Sequence, residues 1–338
     1  MKQLLIGPLF VVAEVFFFFG ARAPLRRYIE ERVGPTLVRP GKPLKVAQAT
    51  VGSLVLEAAE RLERAGVAFG HGTANALDEA AWLVLRALGR PPGDVAPIAR
   101  ENVDATGARA ARALVARRIR TRKPAAYLLN EAWLGPDRFY VDERVIVPRS
   151  FIAEMARERF APWVKDPASV TTALDLCTGS GCLAILLARA FPKAKVDAAD
   201  LSPDALAVAA ANVAAYRLGR RVKLVESDLF GALAGRTYDL LVSNPPYVNA
   251  ASMRRLPDEY RQEPEMALAS GADGLRHTRL ILAGARRHLN PGGLLVVEIG
   301  HNRRALERAC PKLPFAWPAF AGGEGFVFVL PREALPAG

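Results

Sequence analysis

The chain has 338 residues, is 51% hydrophobic and 24% charged, and carries a formal net charge of +12. That length predicts two domains with room for an extra segment, and the composition excludes a disordered or low-complexity chain. Three cysteines, Cys177, Cys182 and Cys310, are an odd count that excludes a disulfide framework. No Cys/His spacing resembles a zinc site, so a reducing, cytoplasmic setting without a metal is expected.

The first 50 residues hold eight Lys or Arg against three Glu, so the body that follows is less basic than the total suggests. Its basic balance is compatible with RNA or ribonucleoprotein partners, and equally with a generally Arg-rich composition. Residues 1–48 stand apart. Leu4 to Phe19 is nearly all apolar, broken by Gly7, Pro8 and Glu14, with Lys2 before it and Ala21-Arg22-Ala23 after it. The pattern imitates a signal peptide, yet it is short and interrupted for a membrane span. A membrane anchor or signal, an accessory extension, and translation from a misplaced upstream start compete as readings, and the last is favoured here. No firm membrane partner is expected.

Residues 49–124 read as a small helical domain. Val51, Leu54, Val55, Ala58, Ala59 and Leu62 recur at helical spacing. A second helix runs from near Asn75 to Leu88, where Gly89 and Pro91-Pro92-Gly93 stop it. A third spans about Thr106 to Lys123 and carries Arg109, Arg112, Arg117, Arg118, Arg120 and Arg122, either a phosphate-contacting face or a solvated one. His71, between two glycines, reads as a turn residue. Residues 125–150 alternate as β structure and are expected to form a hairpin linker. Ser150 is then positioned to cap a helix through Ile152, Met155 and Phe160.

Residues 151–332 alternate strand and helix. Strands are predicted over Thr172–Leu176, Lys195–Ala199, Val222–Val225, Tyr238–Val242, Gly292–Glu298 and Gly325–Leu330, with helices over Leu183–Phe191, Pro203–Tyr216 and Thr278–Leu289. This is the pattern of an open, mostly parallel α/β sheet covered on both faces.

Chemistry is concentrated at the predicted strand ends. Asn244-Pro245-Pro246-Tyr247 follows a buried strand. Neither proline donates a backbone hydrogen bond, and each restricts the residue before it, so the loop is stiff. The Asn244 side-chain oxygen and the Pro245 carbonyl could each accept an N–H of a planar NH2 group, orienting a poor nucleophile. Tyr247 could pack on its flat face and lie near a methyl sulfonium.

The turn Cys177-Thr178-Gly179-Ser180-Gly181-Cys182 after Asp175 permits close approach of a ligand at a helix N-terminus. Asp200 ends the second strand, where an acidic residue suits ribose hydroxyls. Asp228 could accept from an adenine amine, with Leu229 or Phe230 flanking the ring. Cys177 occupies the first glycine position of the usual dinucleotide pattern, which weakens a dinucleotide reading. Together with Asn244, these features predict S-adenosylmethionine. The expected contacts are Asp175, Cys177, Thr178, Gly179, Ser180, Gly181, Asp200, Asp228, Leu229 and Asn244.

In these motifs the chain resembles the class I (Rossmann-like) S-adenosylmethionine-dependent methyltransferases, and within them the protein-(glutamine-N5) methyltransferases. Phe69-Gly70-His71-Gly72-Thr73, Phe139 to Ser150, Cys177 to Cys182 and Glu259-Tyr260-Arg261-Gln262-Glu263-Pro264-Glu265 are most similar to the branch that methylates a glutamine of the large-subunit ribosomal L-three protein. The resemblance implies methyl transfer to a glutamine side-chain nitrogen, with Asn244 and Pro245 accepting its N–H bonds and Pro246 and Tyr247 shaping the slot. Glu263 and Glu265 would hold the far side of the loop or sit in solvent. Three rival readings are methylation of the Gly-Gly-Gln glutamine of release factors, methylation of an adenine amine in nucleic acid, and a non-catalytic ribosome-assembly factor.

Overall fold

The computed structural model describes residues 49–337, so the readings made for residues 1–48 lie outside the described residues. The described chain forms two compact units, 49–129 and 130–337. No helix among the described residues is long and apolar enough to cross a membrane.

The first unit is built on α1 (Val51–Arg64), α2 (Ala76–Ala87), α3 (Ala105–Thr121) and the short α4 (Ala125–Leu129). The three long helices start on side-chain caps. Thr50 accepts from Ser53 N, Asn75 from Asp78 N and Asp104 from Gly107 N, satisfying donors that a helix start leaves free. Helix α2 is buried along most of its length, Ala80 to Leu85, because α1 and α3 both pack against it. Fully buried Arg118 on α3 pairs with Glu79 on α2 at 2.8 Å. Arg112 pairs with Glu57 at 2.8 Å, and Arg122 donates to the Gly66 and Ala65 carbonyls. The arginine face predicted for α3 is therefore reduced to Arg109, Arg117 and Arg120, which are exposed. Residues 125–129 correct the expectation of β structure. Proline at position 124 pre-sets φ for a helix start, and Ala and Leu are strong helix formers.

The second unit opens with β1 (Ala132–Leu134) and β2 (Asp137–Phe139), an antiparallel hairpin turning at Gly135-Pro136. The predicted hairpin was longer. Val145 to Arg149 forms no ladder, since Val147 N donates to the Glu263 side chain instead. Helix α5 spans Ile152–Arg157. The residue at its N-cap position, Phe151, makes no side-chain cap, but Ser150 Oγ accepts from Ile152 N at 3.2 Å, so Ser150 caps the helix start as expected from one residue further back, and Phe160 lies past its end.

The remaining elements are β3 (Thr172–Leu176), α6 (Cys182–Ala190), β4 (Lys195–Asp200), α7 (Pro203–Ala215), β5 (Val222–Glu226), β6 (Tyr238–Ser243), α8 (Ala250–Met253), α9 (Arg276–Ala285), β7 (Leu289–Glu298), α10 (Arg303–Ala309), the small pair β8 (Ala319–Phe320) and β9 (Gly323–Glu324), and β10 (Val327–Pro331). The main sheet has the order β10-β7-β6-β3-β4-β5, with β10 antiparallel and the other neighbours parallel. Strand alternation sends successive residues into two cores. Ala173, Leu240, Val242 and Val296 join one, while Leu174, Leu241, Leu295 and Val297 join the other. Both faces are thus covered, which is why these strands read as unbroken apolar runs. From β3 the chain moves outward through β4 and β5, then returns to the other side of β3 as β6. The crevice at the carboxyl ends of β3 and β6 is the switch point where such sheets bind ligands.

Candidate active site

The turn after β3 is held from beneath. Asp175 is fully buried, and its Oδ2 accepts from Thr178 Oγ1 at 2.5 Å and Ala184 N at 2.9 Å. Burial pushes its carboxyl up to about 7. Thr178 N donates to Ala199 O at 2.9 Å and Gly179 N to Asp200 Oδ2 at 2.8 Å, tying the turn to the end of β4. A Cβ at Gly181 would lie 3.1 Å from the Ala209 Cβ, so this glycine lets α7 approach closely. Cys177 adopts φ 62°, a left-handed conformation unusual for a side-chain-bearing residue. Burial pushes its thiol well above the usual range, keeping it neutral.

One pocket, partly open to solvent, is lined by Cys177, Thr178, Gly179, Ser180, Asp200, Asp228, Leu229, Asn244 and Pro246. A smaller one is lined by Ile146, Arg149, Asn244, Pro245, Tyr247, Val248, Ala267 and Leu268. Asn244 therefore stands where the two meet. The structure brings most of the expected residues together, with three exceptions. Asp175 and Gly181 line neither pocket and instead support the turn. Phe230 lines neither and stacks on His288, with ring centroids 4.5 Å apart. The backbone explains this, since Leu229 takes φ 47° and turns the next side chain away.

The Asn-Pro-Pro-Tyr loop is held at several points. Asn244 Nδ2 donates to the Arg149 carbonyl at 3.2 Å. Among the described residues none donates to its Oδ1. The Tyr247 ring packs so tightly on Gly300 that a Cβ there would lie 2.7 Å from it, and Asn302 Nδ2 donates to Tyr247 O at 2.8 Å. Glu263 is buried and pairs with Arg149, the residue whose carbonyl accepts from Asn244, while Glu265 is exposed. Burial works against the Arg149 charge, but the Glu263 carboxylate outweighs it and raises the guanidinium above its ordinary value.

Two further lining residues were not expected at the pocket. His277 lines the larger pocket with Nδ1 2.8 Å from Ser270 Oγ. Burial and the Arg276 charge lower the pKa of its ring, and the Asp228 carboxylate and the Pro246 carbonyl partly offset them. Ser150 lines the same pocket and donates to buried Glu298 at 2.6 Å. Exposed Leu201 and Met266 lie on its rim.

The chemistry of this donor set is specific. Asp200 and Asp228 offer acceptors to hydroxyls, amines and positive charge. The Asn244 loop offers an acceptor at the junction with a second, mainly apolar slot.

Comparison with known proteins points the same way. The profile of the family "Methyltransferase small domain" matches residues 162–259. The chain is 52% identical over 286 residues to the ribosomal protein uL3 glutamine methyltransferase of Neisseria meningitidis serogroup B, covering 85% of this chain and 94% of that protein. It is 52% identical to the protein of that name from Bordetella pertussis, covering 85% and 96%. For the one from Burkholderia pseudomallei the identity is 50% over 295 residues, covering 85% and 96%.

Proposed function

The chain belongs to the ribosomal protein uL3 glutamine methyltransferases, and from that premise we propose that it methylates the side-chain nitrogen of a glutamine in uL3, the large-subunit L-three protein. The observation that carries the reading is the place of Asn244, shared by two pockets with its Oδ1 still able to accept.

The larger pocket fits S-adenosylmethionine. Asp200 would take the ribose hydroxyls, Asp228 the adenine amine, and the Cys177 to Ser180 backbone the amino-acid end, with Leu229 against the ring. When bound, this co-substrate supplies an electrophilic sulfonium methyl and leaves as the thioether. The smaller pocket would take the glutamine side chain, its walls being Ile146, Val248 and Leu268.

An amide nitrogen is a weak nucleophile because its lone pair is delocalised. Asn244 Oδ1 and the Pro245 carbonyl would accept its two N–H bonds, aiming the nitrogen and stabilising the positive charge that develops as the N–C bond forms and the C–S bond breaks. The proton then leaves the nitrogen readily, so no strong base is required. Positioning supplies most of the rate. Contact with ribosomal RNA would rest on Arg109, Arg117 and Arg120. A ribosomal substrate favours the cytoplasm as the site of action.

The test is to incubate the full chain with methyl-labelled S-adenosylmethionine and, separately, unmodified uL3 and unmodified release factor, and to locate the label by mass spectrometry. Methylglutamine on uL3 alone is expected. Label on the release factor overturns the substrate, and label on neither overturns the reaction.

A further inference from the structure

Two consecutive residues beside the reacting site are each fastened to a different buried carboxylate. Arg149 Nη1 and Nη2 donate to Glu263 Oε1 and Oε2, both at 2.6 Å. The side chains are 7% and 0% exposed. Glu263 Oε1 also accepts from Val147 N at 2.9 Å, and the Arg149 guanidinium lies over the Tyr260 ring, 5.6 Å from its centroid. Ser150 Oγ donates to Glu298 Oε2 at 2.6 Å, and Phe151 N donates to the same oxygen at 3.0 Å. Glu263 lies in the chain beyond the Asn244 loop, and Glu298 ends β7, the neighbour of β6. Between these two anchorages the Arg149 carbonyl accepts from Asn244 Nδ2.

A primary amide can exchange its oxygen and nitrogen by a half-turn about its last torsion. In the wrong orientation Asn244 would present N–H donors to the N–H donors of its substrate. A main-chain carbonyl can only accept, so a carbonyl fixed behind the side chain selects the orientation that leaves Oδ1 forward. A bidentate guanidinium–carboxylate pair fixes angle as well as distance. We infer that Arg149, Glu263 and Glu298 are positioning residues that clamp the Arg149 carbonyl against Asn244 and so hold its Oδ1 toward the nitrogen to be methylated. The inference rests on the proposed reaction at the same site.

Glu263→Gln keeps the size of the side chain and an acceptor for Val147 N but removes the charge. If the clamp acts through Asn244, kcat falls by about 100-fold, the loss associated with a small misplacement of a reacting group. The Kd for S-adenosylmethionine and the KM for uL3 stay within about 3-fold. In an Asn244→Ala background the same substitution costs less than about 3-fold more, because its target is gone. Additive losses in the double variant, equal losses in kcat and Kd, or unchanged kcat in Glu263→Gln overturn the inference. Should Glu263→Gln fail to fold, Arg149→Lys takes its place, retaining a cation but not the two-pronged geometry, and the same pattern is expected.

A second measurement needs no methyl acceptor. The Asn244 side-chain amide resonance, assigned by its loss in Asn244→Ala, should exchange with water about 10-fold faster in the clamp variant than in the wild type. Unchanged exchange overturns the clamp. Failure of uL3 as a substrate would overturn the proposed function while leaving this result to decide the clamp.

Discussion

Asn244 and Arg149 are 95 residues apart in sequence, and the side-chain nitrogen of the first donates to the main-chain carbonyl of the second at 3.2 Å. Asn244→Asp tests what that donation is for. The replacement has the same shape and keeps a forward acceptor, but it sets an oxygen against the Arg149 carbonyl where a donor stood. Loss of a preorganised group of this kind lowers kcat by about 100-fold or more. The Kd for S-adenosylmethionine, measured by calorimetry, should stay within about 3-fold because most of that pocket is untouched. Wild-type turnover, or an equal loss of affinity, would show that the Asn244 amide is not the reacting site's acceptor.

Cys177 holds φ 62° in the turn that lines the larger pocket. A left-handed backbone costs a non-glycine residue about 1–2 kcal/mol, while glycine adds roughly 0.5–1 kcal/mol of unfolded-state entropy. Cys177→Gly should therefore raise stability slightly, by about 0.5–1 kcal/mol, with binding of S-adenosylmethionine retained. Cys177→Val should lower it, since a β-branched side chain fits this conformation worst. Thermal unfolding of the two variants checks the order, and a Val variant as stable as the Gly variant would contradict it.

The sheet and its strand-end residues were legible because parallel strands buried on both faces leave continuous apolar runs, such as Tyr238 to Val242, and all point their carboxyl ends to one edge. Asp200, Asp228 and Asn244 inherit their convergence from that geometry. Asp175 and Gly181 belong to the same motif but face inward, a distinction that depends on strand parity and on the approach of α7. The packing of Arg149 on Glu263 and of Ser150 on Glu298 joins residues more than 100 apart, and no local pattern announces such a pair. The helix over residues 125–129 departs from the expected strand because a run of five apolar residues, Ala125 to Leu129, looks alike in a strand and in one turn of helix.

In the helical unit, Arg118 and Glu79 form an ion pair with side-chain exposures of 0% and 1%. Arg118 also donates to Ala68 O, and Glu79 accepts from Thr73 Oγ1. Removing one partner leaves a buried charge uncompensated, so Arg118→Ala should destabilise by about 3–5 kcal/mol. Replacing both, as Arg118→Met with Glu79→Leu, should recover part of that loss by removing the stranded charge. Urea unfolding compares the variants, and a double variant less stable than Arg118→Ala would count against the argument.

Glu298 gives a pH dependence whose sign is fixed. Burial pushes its carboxyl well above the ordinary carboxylate range, up to about 7, while the Ser150 and Phe151 hydrogen bonds and the Arg149 charge act the other way. A carboxyl with a raised folded value binds its proton more tightly in the folded state. Its contribution to stability is full below the unfolded value and is lost as pH rises toward 7. Glu298→Gln keeps an oxygen to accept from Ser150 and cannot ionise. The urea midpoint of Glu298→Gln relative to wild type should therefore rise between pH 5 and about pH 7.5. A difference that stays constant across that range would mean that Glu298 does not titrate there, and a difference that shrinks would mean that its folded carboxylate is favoured rather than opposed by its surroundings.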